Sequence, residues 1–166
     1  MDINNIAIPT SLKYTLLSEF IQLKQLLFAY SSELYIPSSI DKTLQAFNCS
    51  NSVIEGLSNL CQLQTLACND SNVTDKDLVN LTNLNCSRTR ISDISKLTNV
   101  RMLNCSNTNI SDLSHLQNLE VLIYIVSDVS RRKITDVRML PNLKLVIMYK
   151  HQSILVNPNV EIKRNP

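Results

Sequence analysis

The apolar positions of this chain recur at a fixed spacing. From Leu81 to Leu119 it reads LTNLNCSRTRISDISKLTNV and then RMLNCSNTNISDLSHLQNL, one phrase written twice, 19 residues apart. Leu84 returns as Leu103, Cys86 as Cys105, Thr89 as Thr108, Ile91 as Ile110, Asp93 as Asp112 and Leu97 as Leu116. A self-similar period of this length is the signature of a solenoid, in which each unit buries its apolar face only by stacking on the next. Looser copies precede the pair: Leu44, Phe47, Cys49, Ser52, Ile54, Leu57, Leu60, then Leu63, Leu66, Cys68, Ser71, Val73, Leu78. A degenerate first coil starts at Leu23, a sixth at Leu119 and a seventh at Leu143. In the sixth coil, Ile134-Thr135-Asp136-Val137 arrives five residues late, so an insertion falls within 125–133. The pattern predicts about seven coils over residues 23–150, an N-terminal cap over 1–22 and a C-terminal cap or tail over 151–166.

Each coil has the same internal grammar. The L-x-x-L-x-C segment alternates apolar and polar residues, the period-2 pattern of a strand with one buried face. Successive strands then pair in parallel at roughly 4.8 Å. A Ser/Thr-Asp pair follows, a turn-start signal whose side-chain oxygens accept backbone N–H groups. The spacing of three beyond it suits one turn of 3₁₀ helix.

The phrase L-x-x-L-x-C-S-x-T-x-I-x-D-I resembles the leucine-rich repeat, and I-S-D-I-S-x-L-T-N resembles its internalin-type bacterial form. The short period and the strand cysteine are also similar to repeats encoded by large amoeba-infecting DNA viruses. The resemblance covers about residues 23–150. It implies an α/β solenoid, a right-handed coil with a parallel sheet on the concave side and short turns or 3₁₀ segments on the convex side. It also implies non-catalytic protein–protein recognition, with a host protein as the partner if the bacterial or viral likeness holds. One departure stands out. The family's usual Asn after the strand is replaced by Ser52, Ser71, Thr89 and Thr108, so a hydroxyl ladder must serve the backbone groups that amides would bridge.

Composition narrows the choices. A net charge of +2 demands neither a nucleic-acid nor a membrane partner. The balance is uneven, however: residues 1–83 hold four Lys/Arg against eight Asp/Glu, and residues 84–166 hold twelve against six. A basic C-terminal half keeps nucleic-acid binding as a second alternative. The scarcity of aromatic stacking partners disfavours it. No apolar run is long enough to span a bilayer, and no signal peptide is visible at the start, which suggests a cytoplasmic location. Five cysteines do not make a disulfide framework. Seven N-x-S/T sequons are mostly by-products of the repeat.

The residues that could carry chemistry each have a plainer role. Cys49, Cys68, Cys86 and Cys105 lack the short pairs of zinc sites and read as small buried hydrophobes in one column. Asp75, Asp93, Asp112 and Asp136 follow Ser or Thr and read as turn caps. The single glycine, Gly56, excludes a phosphate-cradling loop, and no triad or H-E-x-x-H phrase occurs. No catalytic residue, metal site or cofactor is expected. The outward strand positions say more. Asn48, Asn85, Asn104 and Ser50, Ser87, Ser106 form a polar lawn that turns apolar at Val121, Ile123, Ile125, Leu145, Ile147 and Tyr149. Uncovered apolar strands mark an interaction site. These six residues, with Arg131, Arg132 and Lys133 of the inserted loop, are the candidate partner-binding surface. Homodimerisation through the C-terminal edge is the first alternative. In another reading, the tail 151–166 folds back over these strands.

Overall fold

The computed structural model describes residues 24–27, 34–36, 42–78, 80–128, 130 and 133–166. The N-terminal cap expected over 1–22 lies outside them, as does part of the first coil. The architecture is a parallel-strand solenoid. Eight strands form its main sheet: β1 (Gln25–Leu27), β3 (Ala46–Asn48), β5 (Thr65–Ala67), β6 (Asn83–Asn85), β7 (Met102–Asn104), β8 (Val121–Tyr124), β9 (Leu145–Tyr149) and β10 (Glu161–Asn165). A two-stranded sheet pairs β2 (Leu34–Tyr35) with β4 (Ile54–Glu55). About six complete turns run from Leu44 to Val160 within the described residues.

Register follows the repeat. Phe47 pairs with Leu66, Leu66 with Leu84, Leu84 with Leu103 and Leu103 with Leu122. Period-2 alternation then puts the flanking residues on the open face, and the burial pattern half-exposed, buried, half-exposed repeats along the sheet. The inward residues form one continuous core of stacked columns. Each fully buried Leu or Ile contributes roughly 1.5–3 kcal/mol, and none could be buried by its own coil.

Away from the main sheet, the described residues include 3₁₀ turns at Leu57–Asn59 and Asp75–Asp77, with turns and irregular backbone beside them. Among the described residues there is no α-helix. The reason is length: a coil of 18 or 19 residues spends most of them on the strand and its two bends. Gly56 has φ +81°, and a Cβ there would lie 3.2 Å from the Ile36 carbonyl oxygen. The one glycine therefore sits where a left-handed backbone passes close to the preceding coil. After the strands, Asn51, Asp70, Arg88 and Asn107 share φ values of 54–58°. Asn and Asp tolerate this bend; Arg88 bears strain there that the short polar residues avoid.

The hydroxyl ladder works within each coil rather than between coils. Thr89 Oγ1 donates to the Cys86 carbonyl at 2.7 Å, and Thr108 Oγ1 to that of Cys105 at 2.8 Å. The same oxygens accept the Ile91 and Ile110 N–H groups at 3.4 and 3.5 Å. Coils are instead tied by backbone bonds, such as Cys86 N–H to Asn104 O at 2.9 Å and Arg88 N–H to Ser106 O at 2.9 Å. At these positions the hydroxyl closes its own turn.

The cysteine column is buried and holds no disulfide. Burial pushes the Cys105 thiol up to about 12 and the Cys86 thiol well above its usual range, so both stay protonated and inert. In the next coil the column position passes to Tyr124, which is 1% exposed. Its hydroxyl accepts the Lys133 N–H at 2.8 Å and the Ile134 N–H at 3.3 Å. Tyr124 thus reaches from the strand to the far end of the insertion and secures the point where the repeat resumes. Gln152 adds a second clip: its Oε1 accepts Val126 N–H at 3.0 Å and Tyr149 N–H at 2.9 Å. Tyr124→Phe removes the acceptor for two backbone donors, and a loss of about 1–3 kcal/mol is expected in urea unfolding. A change below about 0.5 kcal/mol would show that the hydroxyl does not hold the insertion.

Candidate functional site

The concave face is the outward side of the main sheet, and register decides its composition. Three rows cross it. One runs Ala46, Thr65, Asn83, Met102, Val121, Leu145, Glu161; the next runs Asn48, Ala67, Asn85, Asn104, Ile123, Ile147, Lys163. The third follows the strands through Ser50, Asn69, Ser87, Ser106 and Ile125 to Tyr149 and Asn165.

The polar lawn is internally bonded. Asn48 Oδ1 accepts the Ser50 N–H at 3.1 Å, Asn85 Oδ1 that of Ser87 at 3.3 Å, and Asn104 Oδ1 that of Ser106 at 3.1 Å. Each amide closes the bend at its strand's end. Ser106 Oγ accepts the Ile125 N–H at 2.9 Å, which joins the lawn to the apolar zone.

Of the residues expected from the sequence, Val121 lies beside Leu145 and Ile123 beside Ile147, all half-buried. Ile125 and Tyr149 continue the rows and are also half-buried. Lys133 is exposed, but its backbone meets the hydroxyl of the inward-pointing Tyr124, which places it across the core from Ile123. Arg131 and Arg132 lie outside the described residues. The tail runs under and beside this zone: Ile154 and Val160 join the core, and β10 extends the sheet next to β9.

Sequence reasoning passed over Met102. Met102 is 49% exposed in the middle of the sheet, one strand from Val121. Its signal was available: it is the second x of L-x-x-L, which period 2 turns outward. The depression around it is lined by Thr65, Ala67, Asn83, Asn85, Asn104, Val121 and Ile123.

Part of the charge on the C-terminal half is engaged with acids, some of them on neighbouring coils. Glu120 accepts Lys144 Nζ at 2.6 Å and lies 3.5 Å from the Arg101 guanidinium. Arg88 meets Asp70 in a two-pronged pair, with Nε 2.7 Å from Oδ1. Arg138 pairs with Asp136 at 2.7 Å. These exposed pairs add little stability each. The carboxylate row caps turns: Asp93 Oδ1 accepts Ser95 N–H and Asp112 Oδ1 accepts Ser114 N–H, both at 2.8 Å. Asp75 instead reaches the next coil and accepts from Ser92 N–H and Oγ at 2.8 and 3.1 Å. Among the described residues no group of His, Cys, Asp or Glu could hold a metal ion, and no helix is long and apolar enough to cross a membrane.

A parallel sheet of stacked L-x-x-L-x-C strands, hydroxyl-closed bends and a turn-built convex side together define the leucine-rich-repeat fold. Solved structures with the same fold include internalin C2 of Listeria monocytogenes, with TM-score 0.69 and 19% identity over 98% of this chain and 81% of that one. A leucine-rich-repeat protein of Leptospira interrogans matches with TM-score 0.62 and 15% identity over 98% of this chain and 54% of that one. InlJ of L. monocytogenes, whose functional domain includes a cysteine ladder, matches with TM-score 0.57 and 20% identity over 96% of this chain and 42% of that one. At these identities the likeness is one of fold. No family model and no curated protein sequence matches the chain.

The Arg138 guanidinium and backbone N–H hold the Asp136 carboxyl down at about 2, and the bonds from Ser95 and Ser114 lower those of Asp93 and Asp112. A carboxyl depressed by folding stabilises the fold above its unfolded value of about 3.9 and loses that contribution as pH falls toward its folded value. Urea midpoints should therefore drop between about pH 4 and 2, and less steeply in Asp136→Asn, whose amide still caps the turn. Parallel curves for the two proteins would refute the assignment.

Proposed function

We propose that the protein is a non-catalytic recognition module that binds a protein partner across its concave face, with Val121, Ile123, Ile125, Leu145, Ile147 and Tyr149 as the contact zone. One observation carries this reading. Two adjacent strands present apolar residues in register on the open face, where β6 presents Asn83 and Asn85 and β7 presents Met102 and Asn104. Packed apolar rows left half-open in a rigid sheet are the ordinary makings of an interface core. The fold supports the general role, since solenoids work through extended surfaces of this kind. The bacterial neighbours make a host protein the natural candidate partner.

Homodimerisation through the C-terminal edge is the weaker alternative. The outer strand of the described sheet is β10, whose Glu161, Lys163 and Arg164 charge an exposed edge. Such charges discourage strand addition. Nucleic-acid binding is weaker still, because Arg88, Arg101, Arg138 and Lys144 all face acidic partners. An intracellular, reducing setting belongs to the same proposal. Asn72 begins a sequon, yet its amide accepts Ile54 N–H at 2.8 Å and donates to Ile54 O at 3.2 Å. A glycan on that nitrogen would compete with the bond between coils.

Leu145→Asp combined with Ile147→Asp tests the reading. Circular dichroism should be unchanged, because both side chains stand outside the core. Proteins captured from the native host by the wild-type chain should be lost with the double variant. Equal recovery by a folded double variant would reject the contact zone.

A further inference from the structure

Resting on the recognition reading and extending it along the same face, we infer that the depression lined by Met102 is an anchor pocket for one uncharged aliphatic or aromatic side chain of the partner. Its volume is about 180 Å³, formed across β5 to β8. Small-molecule sites enclose roughly 300–1,000 Å³, so this space suits a side chain rather than a whole ligand. The floor is apolar, from Ala67, Met102, Val121 and Ile123, and the remaining outward groups are neutral Thr and Asn.

Charge complementarity selects the occupant. No charged residue lines the depression. Along one margin, the residues just before β7, β8 and β9 are Arg101, Glu120 and Lys144, joined to one another through the Glu120 carboxylate. Along the other, at the bends after β5 and β6, Asp70 and Arg88 are paired. A charged anchor would lose water over an apolar floor and find the nearest opposite charges already engaged. A neutral apolar side chain loses nothing comparable and gains contact with the thioether, which adapts its shape to what it meets. Buried anchors of this type carry most of the energy at protein interfaces.

The structure supplies its own control. Met139, on the turn after Asp136, is 47% exposed against 49% for Met102, so the two methyls differ in surroundings rather than in accessibility. Methyl-¹³C-methionine protein is titrated with N-acetyl-leucinamide, N-acetyl-phenylalaninamide, N-acetyl-lysinamide and N-acetyl-aspartamide. The leucine and phenylalanine probes should shift the Met102 methyl saturably and leave Met139 in place, while the charged probes move neither. Equal shifts at both methyls, an equal response to the charged probes, or no shift at Met102 would overturn the pocket.

At the level of the partner, Met102→Glu should weaken capture at least tenfold, and Met139→Glu should leave it unchanged. Intact capture by Met102→Glu, with loss in the Leu145/Ile147 double variant, would reject the anchor and keep the recognition zone. Intact capture by both variants would reject both.

Discussion

The molecule depends on in-register stacking of coils that cannot be stable alone. A unit of 18 or 19 residues has one apolar face and nothing within itself to cover it. The next coil covers it, so Phe47, Leu66, Leu84, Leu103, Leu122 and Val146 form one column from six separate turns. A slip of one residue in any strand would send that column to solvent and the Asn/Ser lawn into the core. The outer face is therefore as closely determined as the inner one.

That constraint explains where the repeat tolerates change. The column beside the leucines accepts cysteine four times, then Tyr124 and Met148. Cysteine suits the regular coils because it is small, apolar and kept protonated by burial. Tyrosine appears where five extra residues must be accommodated, and its hydroxyl meets the backbone donors at the end of the insertion. The replacement of Asn by Ser or Thr follows similar logic. Thr89 and Thr108 close their own bends, and backbone N–H and carbonyl groups bridge the coils beside them.

The surface divides by what the coils bring side by side. Residues about 18 or 19 apart in sequence become neighbours, which turns a basic half-chain into a ladder of ion pairs such as Asp70 with Arg88 and Arg101 with Glu120. The concave face keeps no such ladder between its margins. Its variation is in polarity instead, from amides and hydroxyls to Met102, Val121, Ile123, Leu145 and Ile147. From β3 to β9 the outward rows grade in polarity without a charged residue.

The strands, their parallel order and the buried columns were legible in the sequence, because period 2 within a coil and period 19 between coils leave each apolar residue one place to go. The apolar C-terminal rows were legible for the same reason. What needed the tertiary structure was every relation set by lateral neighbours: the pairing of Arg88, Arg101 and Lys144 with acids of other coils, the path of Lys133 away from the concave rows, the burial of Gln152 in an apparently polar tail, and the depression around Met102. A linear pattern records which face a residue takes. It does not record how far a side chain reaches or which coil it meets, since those depend on the spacing and bends that stacking imposes.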